Sequence, residues 1–491
     1  MRRCAAPWRR CKTGCSVEPE IDILAIDRGT VTAPAGCGKT HLIANALSRH
    51  AGSKPILVLT HTNAGVAALR GRLERARVPS SAYRLATIDG WAMRLLTLFP
   101  KRAGHDPEIL TVTDARAHYP AIRDAARGLL AGQHINDILA ASYDRLIVDE
   151  YQDCSVHQHE IVVHASAALR TCVLGDPLQA IFTFAGPMPD WEHEVKVQFP
   201  DAGELDTPWR WINAGEEAFG RWLLAVRHVL IDNGSIDLAT APANVQWVRL
   251  DGINDHTLRV TAGSVEPPGA DGRVLIMADS TNPTGQREFA SHIPGGVVVE
   301  NVDMRDLVAF GERFDLASPD IVEHVINFAG GVMVNVGAPA MCQRVESLRA
   351  GRARNPPTEA EAIALRLCEN PSYAGAAELL EAINAQGGVR THRPAILRGA
   401  YEVLNACRGT KSVSPSAAAI AVRERSRLIG RPLAKRTVGS TLLLKGLEAD
   451  VAVILKPTVM DNRHLYVAMT RGAKQLIVCS AVQHLVPRRN P

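Results

Sequence analysis

The stretch Ala33-Pro34-Ala35-Gly36-Cys37-Gly38-Lys39-Thr40 constrains this chain more than any other. It follows an extended run, Gly29 to Thr32, and precedes a helical pattern, His41 to Ala51. A strand, a tight loop and a helix must therefore succeed one another within some twenty residues. Small residues let backbone N–H groups close around phosphate oxygens, and the helix N-terminus adds its positive end. In that arrangement Lys39 reaches the β- and γ-phosphates of a triphosphate, and the Thr40 hydroxyl holds Mg²⁺. Ala35, Gly36, Cys37 and Gly38 supply the cradle. The first Gly of the usual pattern is Ala33 here. The bland alternative is a small-residue turn that happens to end in Gly-Lys-Thr.

A second segment bears on that alternative. Arg145-Leu146-Ile147-Val148-Asp149-Glu150-Tyr151-Gln152-Asp153 opens with an apolar run suited to a strand buried on both faces, as in a parallel sheet. Carboxylates at the C-terminal end of such a strand sit beside the loop that cradles phosphate. Asp149 is then placed for the Mg²⁺ shell and Glu150 for polarising the attacking water. A buried strand ending in a solvated acidic turn would look the same locally.

Length and composition narrow the class. A chain of 491 residues suggests two to four domains, and 46% hydrophobic with 22% charged residues suits globular cores. No window approaches the roughly 18 uninterrupted apolar residues of a membrane span. The basic N-terminus (Arg2, Arg3, Arg9, Arg10, Lys12) lacks a signal-peptide core, so the cytoplasm is expected. The ten cysteines contain no Cys-x-x-Cys pair. Cys4, Cys11 and Cys15 read as reduced thiols in a tail, or as a metal site lacking its fourth ligand. Cys37, Cys154, Cys172 and Cys479 read as small buried residues. A net charge of +4 does not by itself announce a nucleic-acid binder. Arg423, Arg425, Arg427, Arg431, Lys435 and Arg436 form a basic run against the single acid Glu424, either a solvated face or a phosphate contact.

The pattern from 22 to 205 alternates short strands (Ile56 to Thr60, Leu146 to Val148, Thr171 to Gly175) with helices such as Ala64 to Arg77. This predicts an α/β domain with a parallel sheet, interrupted by a helical insert at about 91–141. A second α/β set comprises Val274 to Ala278, Gly296 to Val299, Val451 to Leu455 and Leu476 to Val478, with a helix near Gly285 to Ile293. It spans 206–305 and 431–491, and a mainly helical insert occupies 306–430. Residues 1–21 are expected to be a poorly ordered basic tail.

Further motifs appear in order. Leu174-Gly175-Asp176-Pro177-Leu178-Gln179 ends a strand in a polar turn, where Asp176 and Gln179 can sense the γ-phosphate. Phe182 and Phe184 follow as an outward stacking platform. The order of segments from Thr32 to Ser480 resembles the UvrD/Rep-like superfamily 1 helicases. Thr60-His61-Thr62-Asn63 looks like the family's segment that contacts single-stranded DNA. Asp149 to Asp153, with Gln158, looks like its Walker B signature, and Gly175 to Gln179 like its motif III. Thr207-Pro208-Trp209-Arg210 resembles motif IV, where an aromatic stacks on adenine and the Arg meets the γ-phosphate. Ser440 to Glu448 looks like motif V, and Leu465-Tyr466-Val467-Ala468-Met469-Thr470-Arg471 like motif VI, whose Arg is a second phosphate contact.

The resemblance implies two RecA-like domains with parallel sheets, small helical subdomains, ATP and Mg²⁺ as cofactors, and DNA as partner. The catalytic set it implies is Lys39, Glu150, Gln179, Arg210 and Arg471, with His41, Trp209 and Glu448 at the nucleotide and Thr40 and Asp149 at the metal. The nucleic-acid track is His61, Thr62, Asn63, Phe182 and Phe184. Arginine fingers such as Arg210 and Arg471 contribute roughly 10³–10⁵-fold in rate.

Departures fall mostly on the DNA side. Ile23 to Arg28 contains no Gln for adenine, although His41 and Trp209 can sandwich a base. Asp89 stands where the family has a His and would repel phosphate, and Leu442 replaces the motif V His. The chain stops about twenty residues after Arg471, so no fused nuclease domain is expected. In size, early phosphate loop and abrupt end it is similar to the helicase-like subunit of Gabija anti-phage systems, which implies a separate nuclease and DNA ends as activating ligand. The expected function is an ATP-dependent DNA translocase or helicase of the UvrD type, 3′-to-5′ on single strands, in repair or anti-phage defence. The rival is a regulatory subunit that senses ATP and DNA ends, docks on a nuclease and unwinds little. Lys39→Ala is expected to abolish turnover and leave the fold intact.

Overall fold

The computed structural model describes residues 21–182, 186–409, 413–426 and 433–488. The basic tail, Cys4, Cys11, Cys15, Phe184, Arg427 and Arg431 lie outside the described residues. Two compact units account for the rest. The first takes in the described residues of Met1–Pro34, with Gly38–Gly175 and Met188–Asp206; the second those of Ala35–Cys37, Asp176–Pro187 and Thr207–Pro491.

The first unit carries six strands: β1 (Arg28–Thr32), β2 (Ile56–Thr60), β3 (Tyr83–Thr87), β4 (Arg145–Val148), β5 (Arg170–Gly175) and β6 (Asp201–Glu204). They form one sheet in the order β3-β2-β4-β5-β1-β6, parallel throughout. Every residue of β2 and β4 is buried, which is why both read as unbroken apolar runs. Leu57, Leu59, Leu146 and Val148 share one core with Trp91, Leu95, Ile122, Ala126 and Leu130, so the helices of the 91–141 stretch pack directly on the sheet. Each fully buried aliphatic there contributes about 1.5–3 kcal/mol. Helix α1 (Lys39–Arg49) follows β1, α2 (Asn63–Arg75) follows β2, and α3 (Ile88–Leu98) follows β3. Thr62 and Thr87 start the last two by accepting from Gly65 N at 3.1 Å and Gly90 N at 2.9 Å.

The second unit holds β7 (Ile236–Asp237), β8 (Val245–Arg249), β9 (Val274–Ala278), β10 (Gly296–Val298), β11 (Met333–Val334), β12 (Arg390–Thr391), β13 (Arg436–Ser440), β14 (Ala449–Ile454), β15 (Gly472–Ser480) and β16 (His484–Leu485). Six of them form a second parallel sheet, β10-β13-β9-β14-β15-β8. Side chains alternate between its faces with period 2. Leu275, Met277, Ala452 and Ile454 enter one core, Val274, Ile276, Val451 and Val453 the other. Between β10 and β13 the described residues make seven helices of nine to fourteen residues, from Arg305–Arg313 to Pro415–Ser426. Their core is separate and built from residues such as Phe310, Ile326, Leu380 and Val403. The α/β architecture expected from the sequence, with two parallel sheets and added helices, is the one observed. No helix among the described residues is long and apolar enough to cross a membrane.

Candidate active site

In the first sheet β5 lies between β1 and β4, so the loop after β1 and the carboxylates after β4 leave the same edge. Ala33 N donates to Gly175 O at 2.8 Å and fixes the start of the loop. Gly36 and Gly38 take φ of 75° and 88°, left-handed values that turn successive N–H groups to one side. Gly38 caps α1 without any side-chain hydrogen bond, so no side chain competes for the helix's first N–H groups. A positive end presented by a glycine-rich turn fits a phosphate.

Lys39 opens α1, and its Nζ lies 2.9 Å from Asp149 Oδ1 and 2.6 Å from Glu150 Oε1. Burial opposes its charge, but the two carboxylates outweigh it and raise its pKa above the ordinary lysine value. Asp149 is held above the usual carboxylate range, chiefly by burial and against the pull of Lys39. Glu150 adopts φ 54° and ψ 40°, a left-handed conformation that costs a non-glycine residue of order 1 kcal/mol. Its backbone N donates to Asp149 Oδ1 at 2.9 Å, and Gln152 Nε2 donates to its Oε2 at 2.6 Å. Strain is thus retained at the carboxylate expected to polarise water. Thr40 Oγ1 accepts from Arg72 Nη1 of α2 at 2.5 Å. Thr40 and Asp149 offer the hydroxyl and carboxylate oxygens that Mg²⁺ prefers.

Thr62 commits its hydroxyl to capping α2, while Asn63 is exposed and His61 half-buried. Asp89 does not present a bare charge, because Arg123 grips it with Nε at 2.8 Å and Nη2 at 2.7 Å. That hydrogen-bonded pair raises the Arg123 pKa and removes most of the repulsion expected from Asp89. His41 is exposed on α1.

In the second unit Gly36 O accepts from Arg210 N at 3.0 Å, and Ala35 N donates to the Tyr466 hydroxyl at 3.1 Å. Burial holds that phenol well above its ordinary pKa. A Cβ on Gly36 would come within 2.4 Å of Trp211 Cζ3, so the position excludes side chains on two counts. Arg210 donates to Thr470 O at 2.5 Å and to Glu448 Oε1 at 2.6 Å. Trp209 beside it is 47% exposed, open to a stacking partner. Arg471 is buried, its Nε 2.9 Å from Val467 O and its Nη2 3.2 Å from Thr470 Oγ1. Gln179 Nε2 donates to Asp176 Oδ2 at 3.0 Å. Lys445 Nζ sits 4.8 Å from the Phe182 ring centroid, a cation–π contact.

The basic run is largely spoken for. Arg423 pairs with Glu424, Arg425 with Glu402, and Lys435 and Arg436 with Glu266. Arg436 is buried in β13 and also donates to the carbonyls of Pro294, Ser264 and Val265, a structural role. Cys37, Cys154, Cys172 and Cys479 are buried free thiols, as expected. Arg72, Arg123 and Arg227 were not assigned roles from the sequence, each sitting on a helix that carries no motif there, and Gln152 was read only as part of the Asp149 to Asp153 segment.

Residues 22–185, a third of the chain, match the family described as an AAA domain. No curated protein matches the chain. Among solved structures, the Pif1 helicase from Candida albicans is 11% identical, covering 92% of this chain and 91% of its own, with a TM-score of 0.36. An arterivirus nonstructural protein 10 (helicase), solved with DNA, is 12% identical over 52% of this chain, with a TM-score of 0.26. This chain spans about half the length of that arterivirus protein, 48%. Likenesses this loose carry no argument of their own, which leaves the chemistry of the site.

Proposed function

We propose that the chain is an ATP-dependent DNA translocase or helicase of superfamily 1, of the UvrD type and moving 3′-to-5′ on single strands. The observation that supports it best is Lys39, clasped by Asp149 and Glu150 at 2.9 and 2.6 Å beside the uncapped start of α1. Binding of ATP exchanges the carboxylate partners of Lys39 for β- and γ-phosphate oxygens. Glu150, released, accepts the proton of the attacking water as its oxygen bonds the γ-phosphorus and the bond to the β-phosphate's bridging oxygen breaks. Mg²⁺, held by Thr40 and Asp149, would neutralise phosphate charge. Arg210 and Arg471 are proposed as the phosphate-contacting arginines, Trp209 and His41 as base contacts, and Glu448 as a nucleotide contact through its pairing with Arg210. His61, Thr62, Asn63, Phe182 and Phe184 are proposed for the strand, with Thr62 contributing through its backbone. Residues 306–430 are proposed as an accessory subdomain, and repair or anti-phage defence alongside a nuclease as the setting.

Steady-state ATPase activity of the purified chain tests this, with and without single-stranded DNA and duplexes with free ends. Turnover stimulated by DNA and abolished in Lys39→Ala supports a motor. Turnover indifferent to every DNA, from folded protein, refutes the translocase and supports a regulatory subunit instead.

A further inference from the structure

The short turn Tyr151–Asp153 follows directly on Glu150 and constrains it twice. Tyr151 is fully buried, its hydroxyl 2.8 Å from His159 Nδ1 and its ring edge-on against Trp191 and Phe199. A left-handed Glu150 persists only where its surroundings over-determine it, and the anchored Tyr151 is part of that constraint. The Glu150 side chain is tethered by Gln152, 4% exposed, whose Nε2 donates to Glu150 Oε2 at 2.6 Å and to Asp153 Oδ2 at 3.4 Å. Gly175 leaves room for that amide, since a Cβ there would stand 2.6 Å from Gln152 Oε1. All of these residues, with Lys39 and Asp149, belong to the first unit.

An ionised carboxylate only accepts hydrogen bonds, so two carboxylates beside one amide fix its NH₂ end toward Glu150 and Asp153. The terminal torsion of a glutamate is broad and roughly two-fold, so a single partner does not settle which oxygen faces which way. Here the two oxygens are divided. Oε2 takes the Gln152 amide, and Oε1 lies 2.6 Å from Lys39 Nζ. When ATP draws the Lys39 ammonium to its phosphates, Oε1 gives up that cation while Oε2 keeps the amide. Oε1 is then the oxygen on the phosphate-loop side.

We infer that Gln152 is a positioning residue for hydrolysis: by holding Glu150 Oε2 it presents Oε1 as the atom that takes the proton of the attacking water. The water oxygen bonds the γ-phosphorus and its proton passes to Oε1. The bond from the γ-phosphorus to the bridging oxygen breaks, and its electron pair leaves with ADP. This role rests on the ATPase reading above and specifies which oxygen of Glu150 works and what aims it.

The test is a double-mutant cycle on the full chain, measuring kcat, KM and the affinity for a fluorescent ATP analogue. Gln152→Met, similar in length but without a donor, should lower kcat about 10–100-fold, the weight of one hydrogen bond to a charged group, with KM and nucleotide affinity changed less than about twofold. In a Glu150→Gln background the same substitution should change the residual kcat less than about twofold, because the two residues act as one unit. If Gln152→Met does not fold, Gln152→Asn, which keeps the amide but draws it back by one methylene, enters the cycle with the same expectation. A kcat loss that persists undiminished in Glu150→Gln overturns the inference. So does a loss of nucleotide affinity in step with kcat, the mark of a merely structural part, or a kcat within about twofold of wild type. A wild-type chain without turnover sinks the ATPase reading and this role with it.

Discussion

Lys39→Ala should destabilise the protein as well as silence it, so the fold that the sequence alone expects to stay intact keeps less margin once the buried Lys39–Asp149 pair is lost. Lys39 and Asp149 are 12% and 10% exposed and 2.9 Å apart, so their pairing is close to fully buried. Breaking such a pair by removing one partner costs about 3–5 kcal/mol. Glu150 is a third exposed and adds little, which argues for the lower end, about 3 kcal/mol. In a unit of this size about 3 kcal/mol corresponds to a Tm lower by about 6–12 °C.

The pH dependence has a definite sign. Asp149 is already held above the ordinary carboxylate range, chiefly by burial. Without Lys39, burial and Glu150 push it higher still. A raised native pKa means the folded chain binds protons that the unfolded chain releases, so stability falls as pH rises through that window. The deficit of the variant is therefore greatest near pH 7 and shrinks on acidification towards the ordinary carboxylate range. Lys39 itself has a raised pKa, so its own contribution is intact below the ordinary lysine value and is lost only above it. Differential scanning calorimetry of wild type and variant at pH 7 and pH 5.5 checks both points. Adding Asp149→Asn to Lys39→Ala should restore most of the lost stability. A Tm within about 2 °C of wild type at pH 7, or a deficit that grows on acidification, would refute the electrostatic reasoning.

Three further outcomes are expected. Gly36→Ala, with φ 75° and a Cβ 2.4 Å from Trp211, should weaken nucleotide binding at least tenfold and lower stability by about 1–3 kcal/mol; isothermal titration and calorimetry measure the two. Asp89→Asn should cost about 1–2 kcal/mol of stability by weakening the half-buried Arg123 pair, yet change the affinity for single-stranded DNA little, as fluorescence anisotropy would show. His392, buried among Arg393, Arg390 and Arg287, has its pKa lowered from 6.5 to about 4, chiefly by burial. The unfolded chain then binds more protons between those values, so stability should fall by about 2 kcal/mol from this group between pH 7 and pH 5. His392→Gln should remove that part of the acid sensitivity, read from denaturant titrations at the two pH values.

Much of the scaffold was legible because buried parallel strands leave apolar runs. β2, β4 and β9 were placed within a residue of their ends, and β14 within two. Four sheet strands were missed: β3, β6, β8 and β13. Tyr83–Thr87 and Val245–Arg249 are only half buried, at sheet edges, and carry arginines. Arg436–Ser440 is central and fully buried, but its Arg, Gly and Ser give no apolar run, and pairing with β9 and β10 makes it a strand. The basic run around it was left open from the sequence for a related reason: two of its partners, Glu402 and Glu266, are distant along the chain.

What the sequence determined by itself is the chemistry carried on contiguous segments. The loop from Ala33 to Thr40 and the pair Asp149-Glu150 each hold their own backbone requirement, so residue type alone announces them. Tertiary structure decided which polar and charged groups meet. Arg72 and Thr40 are 32 residues apart, Arg123 and Asp89 34, and Arg227 and Asp176 51. No periodicity along the chain encodes such pairs. The first two join one helix to another and the third joins a helix to the turn after β5, so packing decides them, and for the buried Arg227–Asp176 pair burial makes an unpaired charge too costly to leave.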